Sequence, residues 1–379
     1  FILGRKKLYR ESCVTHSPAG YRYRVDFDGI LQLKSAVDKS LASFFDRESA
    51  YLQSVDDDLI PVSNALGHFL LDSGKRLRPL FAAIGHIGAG GEITQESITA
   101  LSSLELVHVC ALIHDDLMDA SDTRRGAPSI HKQFEAIHKA KNLQGSSAQF
   151  GLAASVLMGD LAIIWADKML HESGVKSSQI LSALPIYDEM RVELMAGQYL
   201  DVYEQALASE SVERSLKVAR YKSGKYSIER PLHFGAALSE NVKGEHYEIY
   251  SQYGLPLGEA FQLRDDIMGV FGDPKETGKP AGDDLREGKR TVLIATTLNK
   301  SNAVQRAEFE KYFGKADLDQ AGVDSLRMII TETGALAQVE SLITDMTFSA
   351  HNAAKSGGIS PKAGTMLEEM AIAATVRKS

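Results

Sequence analysis

Leu104-Glu105-Leu106-Val107-His108-Val109-Cys110-Ala111-Leu112-Ile113-His114-Asp115-Asp116-Leu117-Met118-Asp119 is an apolar, helix-length run that ends in three aspartates. A second such run, Phe261-Gln262-Leu263-Arg264-Asp265-Asp266-Ile267-Met268-Gly269-Val270-Phe271-Gly272-Asp273, carries three more. Carboxylates seldom enter apolar helices unless something offsets their desolvation. Asp115 and Asp119 are one helical turn apart and share a face. Gln262, Asp265, Asp266, Gly269 and Asp273 fall at helical spacing, a polar stripe on an otherwise apolar helix. Two like-charged sets facing one cavity repel, and a shared hard cation resolves the repulsion. All-oxygen ligation suits Mg²⁺, which takes one or two carboxylates and completes its shell with water and phosphate oxygens. The pattern points to Mg²⁺-bridged phosphate chemistry between helices.

Basic turns accompany the acids. Gly74-Lys75-Arg76-Leu77-Arg78-Pro79 sets three cations at a predicted helix start, where free amides and the helix dipole attract phosphate. Thr123-Arg124-Arg125-Gly126 follows the first acidic cluster directly, and Lys222-Ser223-Gly224-Lys225 is a third basic group. Lys279, Lys289 and Arg290 flank the second cluster. Each group alone reads as solvated surface, because short motifs match by chance. Together they suggest two polyphosphates, one on the metals and one on Arg and Lys alone.

The rest of the chain is predicted to be all-α, a helical bundle around a central cavity. It has 379 residues, 44% of them hydrophobic and only ten prolines, with apolar residues recurring at helical spacing. The spacing predicts helices over 31–54, 57–72, 76–88, 94–119, 128–138, 147–172, 177–204, 211–221, 223–240, 244–271, 290–299, 303–313, 319–354 and 360–376. Residues 1–26, rich in Lys and Arg without helical period, are expected to be a flexible tail, and 27–379 one domain. The sixteen-residue stretch Asp273–Gly288 is expected to be a functional loop. A net charge of −8 argues against nucleic acid as partner. No run reaches the ~18 apolar residues of a membrane span, so no stable membrane anchor is expected. Cys13 and Cys110 make no disulfide framework, and a cytoplasmic location is expected. Met158, Met169, Met190, Met195 and Trp165 are expected to fill the core, and His114 to serve structure rather than act as a base.

Taken in order, these motifs resemble the trans-isoprenyl diphosphate synthases, also called the polyprenyl synthetases. The likeness runs from about Leu31 to Ala374 through Gly74-Lys75-x-x-Arg78-Pro79, Leu104-Glu105-Leu106-Val107-His108, Asp115-Asp116-x-x-Asp119, Arg124-Arg125-Gly126, Gly197-Gln198-x-x-Asp201, Lys222-Ser223, Phe261-Gln262-x-x-Asp265-Asp266, Gly278-Lys279-Pro280 and Gly288-Lys289-Arg290. The wording of Asp265–Thr291 is most similar to actinobacterial geranylgeranyl diphosphate synthases. The resemblance implies condensation of isopentenyl diphosphate with an allylic diphosphate (dimethylallyl, geranyl or farnesyl), release of pyrophosphate, three Mg²⁺ per site and a homodimer. It implies Asp115, Asp119 and Asp265 as metal ligands, with Asp116, Asp201 and Asp266 behind them. Arg124, Lys222, Ser223, Gln262, Lys279 and Lys289 would hold the allylic diphosphate. Lys75, Arg78, His108 and Arg125 would hold isopentenyl diphosphate. One departure is Gly269, where the family commonly has an aspartate, which puts the third metal's affinity in doubt.

Product length is expected from a helical ruler. Ala111, Val107 and Leu104 precede Asp115 by one, two and three turns of about 5.4 Å each. Family members that stop at fifteen carbons place aromatics where this chain has Cys110 and Ala111, so geranylgeranyl diphosphate is the expected product, with longer prenyl chains as the alternative. Two other readings remain: a class I terpene cyclase and a non-catalytic subunit of a heteromeric prenyl synthase. The second basic set speaks against the first, and the retained aspartates against the second.

Overall fold

Prolines start helices in this chain because their missing N–H is not needed in a first turn. In a computed structural model, which describes residues 28–72, 74–124, 126–273 and 282–375, Pro61, Pro231 and Pro361 stand at such starts. The expected tail, Cys13, Arg125 and Lys279 lie outside the described residues. Helices α1 (Asp28–Val55), α2 (Ile60–Leu71), α3 (Leu77–Gly88) and α4 (Gln95–Met118) open the bundle. A reciprocal pair of bonds between Thr94 and Ser97 caps the start of α4. Helices α5 (Ile130–Ala140), α6 (Ser147–His171), α7 (Ser177–Leu207) and α8 (Val212–Val218) follow. The chain then widens into a π-helical stretch, Ala219–Glu229, and returns to α9 (Arg230–Ala237) and α10 (Gly244–Phe271). The rest is α11 (Asp283–Glu287), α12 (Val292–Lys300), α13 (Ala303–Tyr312), α14 (Gln320–Glu332), α15 (Ala335–Ala354) and α16 (Pro361–Thr375). The only sheet among the described residues is a hairpin pairing Thr123–Arg124 with Ala127–Pro128.

Two apolar cores meet on α10. Tyr250, Tyr253, Leu257 and Phe261 belong to a larger core with α1 to α7, α9 and α16, whereas Ala260, Leu263, Ile267 and Val270 join a smaller one with α11 to α15. Tyr250 and Tyr253 are fully buried, and their hydroxyls donate to the Gly85 and Leu367 carbonyls at 3.0 and 2.7 Å. Burial of each such side chain contributes on the order of 2–3 kcal/mol. The π-helical stretch lies against α10 at a glycine contact: a Cβ on Gly258 would come within 2.6 Å of the Gly224 Cα. This approach brings Lys222 and Tyr226 to the cavity.

The all-α architecture agrees with the sequence pattern, and 244–271 is a helix over its whole expected length. Four expectations change. The span 319–354 is two helices, because Gly334 at φ +72° breaks it. Asp273–Gly288 is not all loop, since α11 forms within it. Met195 is 46% exposed, although Met158, Met169, Met190 and Trp165 are buried as expected. Finally, α4 and α6 are each long and apolar enough to cross a membrane by averaged hydropathy, though neither is an unbroken apolar run. Most of that span in α4 is buried within the protein, and most of it in α6 is not.

His233 of α9 is buried, and its Nε2 lies 3.0 Å from the Tyr247 carbonyl oxygen, so that nitrogen carries the proton. Burial, with Arg230 nearby, pushes the imidazole down to about 4. The unfolded chain therefore binds a proton that the fold refuses, and stability falls as pH drops from about 6.5 toward 4, by roughly 1 kcal/mol per pH unit from this group. His233→Gln should flatten the fall of Tm across this window in thermal unfolding. An unchanged Tm-versus-pH slope would show that another group dominates.

Candidate active site

The first acidic cluster sits at the negative end of a helix dipole. Asp115 and Asp116 occupy the last turn of α4, and Asp119 is its C-cap. Carboxylates there are destabilised until cations approach. Three come. Asp115 accepts from Lys222 Nζ at 2.9 Å and Gln198 Nε2 at 3.0 Å, with Arg124 Nη2 at 3.5 Å. Asp116, fully buried, accepts from Arg124 Nε at 2.8 Å and from its Nη2. Lys289 Nζ lies 3.1 Å from Asp119 Oδ2. Lys222 also donates to Asp201 at 2.6 Å.

The second cluster faces the same place. Gln262 Nε2 donates to Asp266 Oδ1 at 2.7 Å, and Asp265 is half-buried on the same stretch of α10. Lys289 ties the first cluster to α11, because its Nζ also reaches Asp284 at 3.5 Å and Glu287 at 2.8 Å. Glu287 in turn accepts from Ser121 Oγ at 2.7 Å, just past the first cluster. A Cβ on Gly269 would overlap the Asp284 carboxylate. Glycine at 269 therefore leaves room for an acid supplied from α11, where the expected aspartate would have begun.

Among the described residues, the carboxylates gathered here outnumber the cations that meet them. Burial opposes ionisation of Asp115, yet Lys222, Lys289 and Arg124 outweigh it and hold that carboxyl well below the usual range. Asp119 goes the other way, raised by burial and by Asp115 despite Lys289. Asp266 is pushed up to about 8 by burial, with Asp284 and Asp265 adding to it. Carboxyls that hold protons because burial strips their hydration, with like charges adding to it, fit a hard divalent cation, which would let them ionise. Among the described residues, no three acidic, histidine or cysteine side chains form a metal site unaided.

A second cationic region lies up the same helix. His108, two turns before Asp115 on α4, has its Nδ1 3.2 Å from Tyr226 Oη. The Arg78 guanidinium stacks over the Tyr226 ring at 4.2 Å and donates to Ser227 Oγ at 2.6 Å. Arg78 Nε is buried without a hydrogen-bond partner. Lys75 is exposed beside it. Arg76 departs from the expected phosphate-facing set, because its side chain turns into the protein.

Of the ruler residues only Ala111 is partly open, whereas Val107, Cys110 and Leu104 are buried. His114 Nε2 lies 3.1 Å from the Val156 carbonyl oxygen and its Nδ1 3.8 Å from Cys110 Sγ, contacts that suit a structural role. Ser223 is half-buried next to Lys222. Asp284, Glu287, Gln198 and Tyr226 had no role in the sequence reading. Their contacts depend on long-range packing, and a glycine in an acidic stripe was the only local signal for Asp284.

An all-α bundle with two aspartate sets around one cavity and a separate cation set is the architecture of prenyl transfer. The polyprenyl synthetase family model matches residues 61–330, and the chain belongs to that family. It is a prenyl diphosphate synthase. The crystal structure of geranylgeranyl pyrophosphate synthase from Corynebacterium glutamicum, complexed with isoprenyl diphosphate and magnesium, is 37% identical with a TM-score of 0.87. That match covers 93% of this chain and 100% of the other. The geranylfarnesyl diphosphate synthase of Aeropyrum pernix is 33% identical over 287 residues, 74% of this chain and 82% of the relative. The geranylgeranyl diphosphate synthase of Sulfolobus acidocaldarius is 30% identical over 247 residues, 64% and 69% respectively.

Gly269→Ala tests the seat of Asp284. In an open helix this exchange would stabilise by about 1 kcal/mol. Here it should displace α11 and Lys289, lowering turnover by about tenfold or more without raising Tm. A Gly269→Ala variant with a higher Tm and full turnover would show that Asp284 packs elsewhere.

Proposed function

We propose that the chain condenses isopentenyl diphosphate with dimethylallyl, geranyl or farnesyl diphosphate and stops at geranylgeranyl diphosphate. The observation that carries this reading is the pair of cation sets on one helix, one at Asp115 and one at His108, two turns or about 11 Å apart along α4. A single-substrate cyclase has no use for the second. In this reading Asp115, Asp119 and Asp265 hold Mg²⁺, three ions per site, with Asp116, Asp201 and Asp266 orienting water and side chains around them. Asp284 supplies the carboxylate that position 269 lacks. Bound Mg²⁺ serves as Lewis acid and template for the departing pyrophosphate.

The chain's own residues do the rest. Lys222 and Arg124 exchange their aspartate partners for oxygens of the allylic diphosphate, joined by Ser223, Gln262, Lys279 and Lys289. Arg78, through its unpartnered Nε, grips isopentenyl diphosphate together with Lys75, His108 and Arg125. The allylic C1–O bond breaks, and pyrophosphate keeps the electron pair. The isopentenyl double bond then attacks C1 through its C4, and the C2 proton leaves to a pyrophosphate oxygen. Fixed cations around that oxygen stabilise the charge as it develops.

We propose a homodimer as well. Leu157 and Ile164 of α6 and Leu181, Val192 and Tyr199 of α7 are 60–68% exposed, large apolar side chains of the kind that subunit contacts cover. A second reading of the product is favoured by one finding, the Aeropyrum pernix relative named for geranylfarnesyl diphosphate. Product chromatography decides between the two.

Purified protein supplied with Mg²⁺, labelled isopentenyl diphosphate and an allylic primer should yield a prenyl diphosphate. Hydrocarbon from primer alone would mean a cyclase, and no product would mean a partner subunit. Lys75→Ala and Arg78→Ala should raise KM for isopentenyl diphosphate more than for the primer, and Lys222→Ala the reverse. Equal effects on both substrates would sink the two-pocket reading.

Ala111 is the one ruler residue that is not fully buried. Ala111→Phe should therefore shorten the product toward fifteen carbons and leave the first condensations intact. An active variant with unchanged products would show that the chain grows along another wall.

A further inference from the structure

Arg76 is the one cation of the Gly74–Arg78 turn that cannot touch a substrate. Its backbone adopts φ +53°, ψ +35°, the left-handed region that disfavours any side chain. The unusual turn sends the guanidinium inward, where it is 3% exposed. There Nη1 donates to Glu105 Oε1 at 2.9 Å and Nε to Asp38 Oδ1 at 2.8 Å. Gly74 leaves space for this, since a Cβ there would crowd Nη1 at 2.6 Å and Glu105 Oε1 at 3.2 Å. Glu105 is itself buried, and its Oε2 accepts no hydrogen bond. Removing either partner leaves a buried charge uncompensated, so the pair resists displacement.

What the pair joins gives it a role. Glu105 lies on α4 one turn before His108. Two residues beyond Arg76, Arg78 stacks on the Tyr226 ring whose hydroxyl contacts His108. The start of α3 is thus tied to α4 twice, once through Arg76–Glu105 and once through Arg78–Tyr226–His108. Sliding the turn along α4 would break both ties. Lys75 and Arg78 therefore keep a fixed distance from Asp115 on the same α4.

We propose that Arg76 and Glu105, with Asp38, are positioning residues that hold the isopentenyl cations in register with the aspartate cluster. The proposal rests on the reading that Lys75, Arg78 and His108 bind isopentenyl diphosphate. Arg76, Glu105 and Asp38 act through those side chains and touch no reacting atom. A shift of the turn by an ångström misaligns the isopentenyl double bond with the allylic C1, and such shifts can cost up to ~10²-fold.

Glu105→Gln keeps the shape and removes the charge; Arg76→Lys keeps the charge and removes the planar fork. Steady-state kinetics and thermal unfolding on both variants make the test, beside Lys75→Ala and Arg78→Ala. The expected result is a rise of about tenfold in KM for isopentenyl diphosphate, with a primer KM within about twofold. Arg76→Gly, which suits the left-handed backbone but lacks the guanidinium, should show the same kinetic bias while remaining folded. A folded variant with unchanged isopentenyl KM, or with both substrates affected equally, overturns the proposal. If Lys75→Ala and Arg78→Ala move that KM and the Arg76 and Glu105 variants do not, the pocket stands and the register idea fails. If Lys75→Ala and Arg78→Ala leave it unmoved, the pocket reading fails and takes the proposal with it.

Discussion

A surplus of carboxylates over cations, among the described residues where α4, α10 and α11 meet, is the constraint on which the rest of this molecule depends. Asp115, Asp116 and Asp119 lie at the C-terminal end of α4, where the helix dipole adds to their repulsion. Asp265, Asp266 and Asp284 approach from the other side through α10 and α11. Lys222, Arg124 and Lys289 meet them, and still Asp266 is pushed up to about 8. Among the described residues its acids outnumber its cations, a setting that suits added cations and the anions those cations carry.

The fold supplies rigid frames for that charge. α10 is shared by two apolar cores, so its polar stripe emerges along the line where they meet. The π-helical stretch beside it carries Lys222, which meets Asp115 and Asp201, and Tyr226, which meets Arg78 and His108, and such local widening recurs at functional sites. Lys289 and Glu287 reach back from the far core to Asp119 and Ser121 of the near one. The two cores thus share the site as well as a helix.

Positional roles divide neatly among neighbours in sequence. Lys75, Arg76 and Arg78 carry the same charge, yet the first is exposed, the second is locked to Glu105 and Asp38, and the third stacks on Tyr226. Charge type alone does not distinguish them; the left-handed backbone at Arg76 does, because it reverses the direction of one side chain between two others. Gly269 is a similar case, an apparent gap in an acidic stripe that is space for an acid from elsewhere.

The sequence by itself determined the helices, the two aspartate sets and most of the cations around them. Apolar periodicity and helical spacing are local properties, and carboxylates in apolar runs stand out against them. It also carried the likeness to the polyprenyl synthetases, since that family's motifs are short and ordered along the chain. Tertiary structure alone decided which cation meets which acid, that Asp284 and Glu287 enter the site, and that Arg76 leaves it. It also divided 319–354 at Gly334 and left the α6–α7 face uncovered. The physical reason is the same in each case. Periodicity says which face of a helix is polar, but pairing energies depend on distances between residues far apart in the chain, and only packing sets those distances.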